Sequence, residues 1–106
     1  MKEQIQKLIH EVLKNLDIED VGFSIEHPDD FNNGDYSTNA AMVAFKGRRK
    51  FENAIEGNKD TINVKYGIEI TNPRELAEKI KLELEKNLPK EISKVEVAGP
   101  GFINFY

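Results

Sequence analysis

The chain has 106 residues and 39% apolar content, enough for one modest core but not for two, and its fifteen basic and nineteen acidic side chains leave a net charge of −4. It contains no cysteine, which excludes a disulfide framework, a thiolate zinc site and a thiol nucleophile; its size excludes a two-domain enzyme. The charged opening MKEQIQKLIHEVLK does not resemble a signal peptide, and no apolar run approaches the roughly twenty residues of a membrane span, so a soluble, cytoplasmic chain is expected.

Residues 2 to 16 carry Ile5, Leu8, Ile9, Val12, Leu13 and Leu16 at alternating steps of three and one, the apolar stripe of an amphipathic helix. Val21, Phe23 and Ile25 then alternate with Gly22, Ser24 and Glu26, which predicts a short half-buried strand closed by His27 and Pro28. Pro28 to Asp35 is rich in Asp, Asn, Pro and Gly and reads as a surface loop. Asp35 or Ser37 would cap a helix over Thr38 to Phe45, apolar on nearly every side and hence packed on several.

Residues 46 to 60 are mostly polar, with only Phe51 and Ile55 four apart, and predict a mobile excursion. From Ile62 to Ile70 apolar residues alternate with polar ones, a single strand or two short ones if Gly67 bends it. Asn72, Pro73 and Glu75 supply a capping side chain, a proline at the first helical position and an acid in the first turn; Leu76, Ile80, Leu84 and Leu88 make the stripe of a helix reaching about Asn87. Val95 and Val97 predict a strand, Gly99-Pro100-Gly101 a tight turn, and Phe102 to Tyr106 the last strand. The order α-β-α-(insert with β)-α-β-β predicts a two-layer α+β domain over residues 1–106, with three helices and an antiparallel sheet.

The last strand carries the most chemistry. Successive strand residues face opposite ways, so if Ile103 and Phe105 enter the core, then Phe102, Asn104 and Tyr106 share the outer face. Aromatic rings stack on unpaired bases and an amide between them pairs with a base edge. The competing reading makes Phe102 the lid of a second small core and Tyr106 a terminal residue only.

Four of the cations, Lys46, Arg48, Arg49 and Lys50, lie together and leave −8 for the rest of the chain, so phosphate contact, if made, must be local. A solvated charged loop is the equal alternative for that segment. His27, Asp29, Asp30 and Asp35 lack the offsets of a calcium loop and read as turn and strand-end residues, so no metal site is expected. His10 flanks the first helical stripe, where edge packing or exposure is expected. Gly99-Pro100-Gly101 leads into a strand and not a helix, so no nucleotide fingerprint is present, and no nucleophile stands beside a base.

Three segments in order, Gly34-Asp35-Tyr36-Ser37-Thr38-Asn39-Ala40-Ala41, Asn72-Pro73-Arg74-Glu75-Leu76-Ala77 and Val95-Glu96-Val97-Ala98-Gly99-Pro100-Gly101-Phe102-Ile103-Asn104-Phe105, resemble the amino-terminal additional domain of arginyl-tRNA synthetases. The resemblance covers nearly the whole chain apart from about 46–70, where it implies an insertion. It implies an accessory module that contacts the D-loop corner of tRNA(Arg) through Phe102 and Asn104, while Tyr106 shares their face by the two-residue period; the insertion, with Lys46, Arg48, Arg49 and Lys50, departs from the family and either adds phosphate contacts to that corner or packs on the opposite side. Asp35, Tyr36 and Asn39 read as mainly structural: a cap, a packed ring and a satisfied amide. The resemblance implies that the catalytic and anticodon-binding domains, with their ATP and Mg, are absent from this chain, so that alone it is an inactive fragment with no cofactor of its own; a monomer is a separate expectation. The alternative is a protein-docking or structural domain that packs on the catalytic domain or another partner through the same outer face.

Overall fold

The computed structural model describes residues 2–18, 22–27, 34–56, 61–64 and 68–106. The first stripe forms helix α1 (Lys2–Asn15), with Ile5, Ile9, Val12 and Leu13 buried. It ends in a left-handed turn: Asp17 has φ +60, its N–H donates to the Lys14 carbonyl, and the N–H of Ile18 reaches back to Leu13 at 2.9 Å. Buried Ile18 and Leu13 give this cap the apolar contact that usually accompanies it. His10 is half-buried with its ring 4.8 Å from that of Phe23, so the edge-packing alternative is the one realised.

Strand β1 (Ile25–Glu26) is shorter than the alternation predicts, and Val21 lies outside the described residues. Residues 36–38, which the apolar composition assigns in part to a helix, instead form strand β2 (Tyr36–Thr38). The reason is tertiary: Tyr36, Ser37 and Thr38 pair with Phe105, Asn104 and Ile103 of strand β6 (Phe102–Phe105). Buried Thr38 donates its hydroxyl to the Ser24 carbonyl and accepts from the N–H of Ala40, while the Asn39 side chain accepts from the N–H of Ser24. These bonds tie the start of helix α2 (Ala40–Glu56) to the β1 segment. Thr38 and Asn39, not Asp35 or Ser37, thus mark the helix start, and the Asp35 N–H donates to the Phe105 carbonyl.

The predicted excursion after Phe45 is corrected over residues 46–56, where α2 continues without a break. Ala40, Ala41, Ala44 and Phe45 are buried in its first half, and the helix already nucleated there extends into polar sequence at little cost. Strands β3 (Ile62–Val64) and β4 (Ile68–Ile70) pair antiparallel, Ile62 opposite Ile70, and bury Ile62, Val64 and Ile70 in the common core. Helix α3 (Pro73–Glu85) starts as predicted: Asn72 accepts from the N–H of Glu75 at 2.8 Å, with Pro73 in the first turn. Its stripe buries Leu76, Ala77, Ile80 and Leu84.

Strand β5 (Val95–Ala98) pairs with β6, and the antiparallel sheet runs β1-β2-β6-β5. Helix α3 lies on β5 and β6 and touches both α1 and α2, so the arrangement is α+β with three helices, as the sequence predicts. Two glycines hold the closely packed turns. At Gly34 (φ +87) a Cβ would fall 2.6 Å from the Phe105 carbonyl oxygen, and at Gly101 (φ +141) 3.1 Å from the Pro73 backbone. Among the described residues no helix is long and apolar enough to cross a membrane.

Candidate nucleic-acid interface

The register of β6 decides which side chains reach the outer face. Ile103 and Phe105 are fully buried against the helical layer, beside Thr38 and Val95 from the flanking strands. Phe102, Asn104 and Tyr106 therefore point to the opposite side by the two-residue period. Phe102 is 40% exposed, beside its small cross-strand partner Ala98.

Asn104 departs from the solvent-exposed position that alternation suggests: only 4% of it is exposed. The cause is its place in the sheet. β6 is an interior strand, so Asn104 has Ser37 on one side and Glu96 on the other. Phe102 and Tyr106 lie roughly 7 Å away along the strand on the same face. A short side chain among longer neighbours is shaded by them. Among the described residues its amide has no side-chain hydrogen-bond partner, whereas the other buried polar side chain, Thr38, has two. Leaving such a group unpaired costs about 1–3 kcal/mol.

Tyr106 extends the pairing beyond β6. Its N–H donates to the Lys94 carbonyl, and its own backbone oxygen accepts from the N–H and hydroxyl of Ser93. The Lys94 ammonium stands 4.5 Å over the ring centroid and pairs with Glu96 at 3.2 Å. Tyr106 also helps to line a cavity of about 340 Å³, whose walls include Ile5 of α1, Phe105, His27, Asp35 and Glu91. The His27 Nδ1–H donates to the Asp35 carbonyl at 2.9 Å, and its ring rests 4.4 Å from that of Tyr36. Tyr36 is thus the packed ring and Asn39 the satisfied amide expected of them. Asp29 and Asp30 lie outside the described residues.

The predicted basic segment lies on α2. Lys46 is exposed, and the side chains of Arg49 and Lys50 lie outside the description. Arg48 is half-buried and donates from Nη1 to the Asp17 carbonyl at 2.7 Å, a cation set against the C-terminal end of α1. Met42 meets Gly101 near the Phe102 turn, and Arg48 is about 9 Å further along the helix axis. A cation to which spacing assigns no role stands at the Phe102 turn: Arg74 of α3 donates from Nη1 to the Gly99 carbonyl at 2.7 Å. Its place in the Asn-Pro-Arg segment was legible, but its approach to Gly99, 25 residues away, depends on packing α3 against β5 and β6.

The outer face thus offers an exposed ring, an unpaired buried amide and a second ring in line, with charge distributed unevenly around them. Comparison with known proteins agrees with the three sequence segments. A family model described as the arginyl tRNA synthetase N terminal domain matches residues 3–106. The chain is 38% identical over its whole length to arginine–tRNA ligase of Pelodictyon phaeoclathratiforme, covering 15% of that protein. It is 38% identical to that of Carboxydothermus hydrogenoformans over 86% of the chain and 12% of the relative. Against the ligase of Staphylococcus carnosus the figures are 39% identity, 77% of the chain and 11% of the relative. The chain spans a small fraction of these relatives, yet the family match runs over nearly all of its own residues: it belongs to the arginyl-tRNA synthetase N-terminal domain family.

Proposed function

We propose that this chain is an RNA-binding accessory module of an arginine–tRNA ligase, which contacts the D-loop corner of tRNA(Arg) through the outer face of β6 while arginylation proceeds on the remainder of the enzyme. The observation that carries the reading is the pairing of exposed Phe102 with buried, unpartnered Asn104 on one face of one strand. A flipped-out base stacks on the Phe102 ring and presents its edge to the amide, which gains the hydrogen bonds it lacks in the free protein. Because Asn104 is so little exposed, the base enters edge first and the flanking rings part to admit it.

Family membership supports this assignment. The chain takes no ATP and no magnesium in this reading; both serve the catalytic domain, the module's other partner. Lys46, Arg49 and Lys50 add weak phosphate attraction from α2. Stacking on one ring contributes about 1–3 kcal/mol, so the isolated chain binds tRNA weakly, in the micromolar to millimolar range.

The test is an NMR titration of the labelled chain with a tRNA(Arg) transcript at low and high salt. Shifts centred on Phe102 and Asn104 that weaken with salt are expected, and Phe102→Ala should reduce affinity about five-fold or more with the fold unchanged. Absence of shifts up to millimolar RNA overturns the reading and favours docking on the catalytic domain. In that case the catalytic domain added in trans should shift the same residues with little salt dependence.

A further inference from the structure

The turn that joins β5 to β6 brings an exposed cation and the exposed ring to the same glycine. Gly99 has φ +56 and presents its carbonyl to Arg74 Nη1 at 2.7 Å. A Cβ placed on Gly99 would lie 3.7 Å from Cδ2 of Phe102, so the edge of the ring rests against that residue. Arg74 is exposed, and among the described residues no carboxylate pairs with it. One of its five N–H donors holds the turn, which leaves the other donors of an exposed guanidinium for a ligand at the same glycine that the ring edge touches.

Charge elsewhere on the face narrows where a phosphate can go. Asn104 sits in a cross-strand row running Glu26, Ser37, Asn104, Glu96, with an acid at either end. Asp35 and Glu91 line the cavity that Tyr106 shares with the inward-facing Ile5 and Phe105, so that end of the sheet also carries acids. Lys94, on that same side, already pairs with Glu96 and covers the Tyr106 ring. A phosphate approaching the Asn104 row or the Tyr106 end meets negative charge, whereas at the Phe102 end it meets Arg74.

We propose that Arg74 binds the phosphate of the nucleotide whose base rests on Phe102, so that the site takes a single-stranded nucleotide as a unit, with the base edge toward Asn104 and the backbone toward the start of α3. This rests on the RNA-binding reading of the face and adds to it a polarity and a second recognition group. The Gly99 carbonyl fixes the guanidinium in place before RNA arrives, which favours a planar, two-pronged phosphate contact over a mobile point charge.

The test compares the parent chain with Arg74→Ala, Arg74→Lys and Phe102→Ala, each titrated with an unmodified tRNA(Arg) transcript between about 50 and 200 mM salt. Loss of one phosphate contact should lower the slope of log K against log salt by about 0.7 in Arg74→Ala and weaken binding about five-fold at 0.1 M salt. Arg74→Lys should retain most of the slope, and Phe102→Ala should weaken binding with the slope unchanged. If the parent binds and Phe102→Ala weakens it, but Arg74→Ala keeps the parental slope, the Arg74 assignment is wrong and the RNA-binding reading stands. A fall in Tm with an unchanged slope identifies Arg74 as a staple of the turn only. If the parent itself does not bind, both fall.

Discussion

Replacement of Asn104 by valine should make the domain more stable and a poorer RNA binder. Asn104 is 4% exposed, and its amide has no side-chain partner among the described residues. Its removal from water is therefore uncompensated, a cost of about 1–3 kcal/mol. Valine is close in volume, suits a strand and carries no polar atom, so Asn104→Val should recover most of that cost. At roughly 4–8 °C per kcal/mol for a domain of this size, Tm should rise by about 5–15 °C. Part of any gain would reflect strand propensity, and Asn104→Thr controls for it: threonine has the same shape with a hydroxyl that again needs a partner. The expected order of stability is Val above Thr, with both variants losing about ten-fold in affinity for a tRNA(Arg) transcript. Urea and thermal denaturation measure the first quantity and fluorescence titration the second. If Asn104→Val is destabilised by about 1 kcal/mol or more, the amide is satisfied in the native state, and the reason for assigning it to a ligand disappears.

Other consequences follow from single contacts. Gly34→Ala places a Cβ 2.6 Å from the Phe105 carbonyl at φ +87, next to the bond from the Asp35 N–H to that same oxygen. It should cost about 2–4 kcal/mol, read as a lowered urea midpoint with an unchanged slope; a midpoint within error of the parent would show that the turn relaxes freely. Arg48→Ala removes the cation from the Asp17 carbonyl at the end of α1 and should cost about 1 kcal/mol of stability with little change in RNA affinity. Unchanged stability together with a several-fold loss of RNA binding would instead make Arg48 a phosphate contact.

The acidic balance of the chain and its proposed RNA partner are compatible because the charges are separated in space. The acids that bear on the outer face, Glu26 and Glu96, flank the row proposed to meet a base edge, while Arg74 lies at the end of the strand proposed to meet a phosphate. Net charge governs long-range steering, and at −4 it offers none toward RNA. The weak binding proposed for the module would gain from any linked second contact to the same RNA, since linked weak contacts reinforce one another through effective concentration.

Sequence alone determined the features whose causes lie within a few residues. The period of Ile5 to Leu16 made α1, the Asn72 side chain with Pro73 started α3, and alternation around the Gly99 to Gly101 turn made the β5–β6 hairpin, with Ile103 and Phe105 on one face and Phe102 and Asn104 on the other. Tertiary structure decided what depends on distant partners. Tyr36 to Thr38 is a strand because β6 lies beside it, although the residues that follow are helical. The polar second half of α2 extends a helix that the buried first half has nucleated, and Arg48 anchors it to α1. Alternation places Asn104 on the outer face but says nothing of its burial, which comes from its position on an interior strand between Ser37 and Glu96. Arg74 reaches Gly99 only because α3 packs across β5 and β6. Periodicity and capping act over one or two turns of chain, whereas burial and the meeting of the Arg74 guanidinium with the Gly99 carbonyl are set by segments that come together only when the whole domain folds.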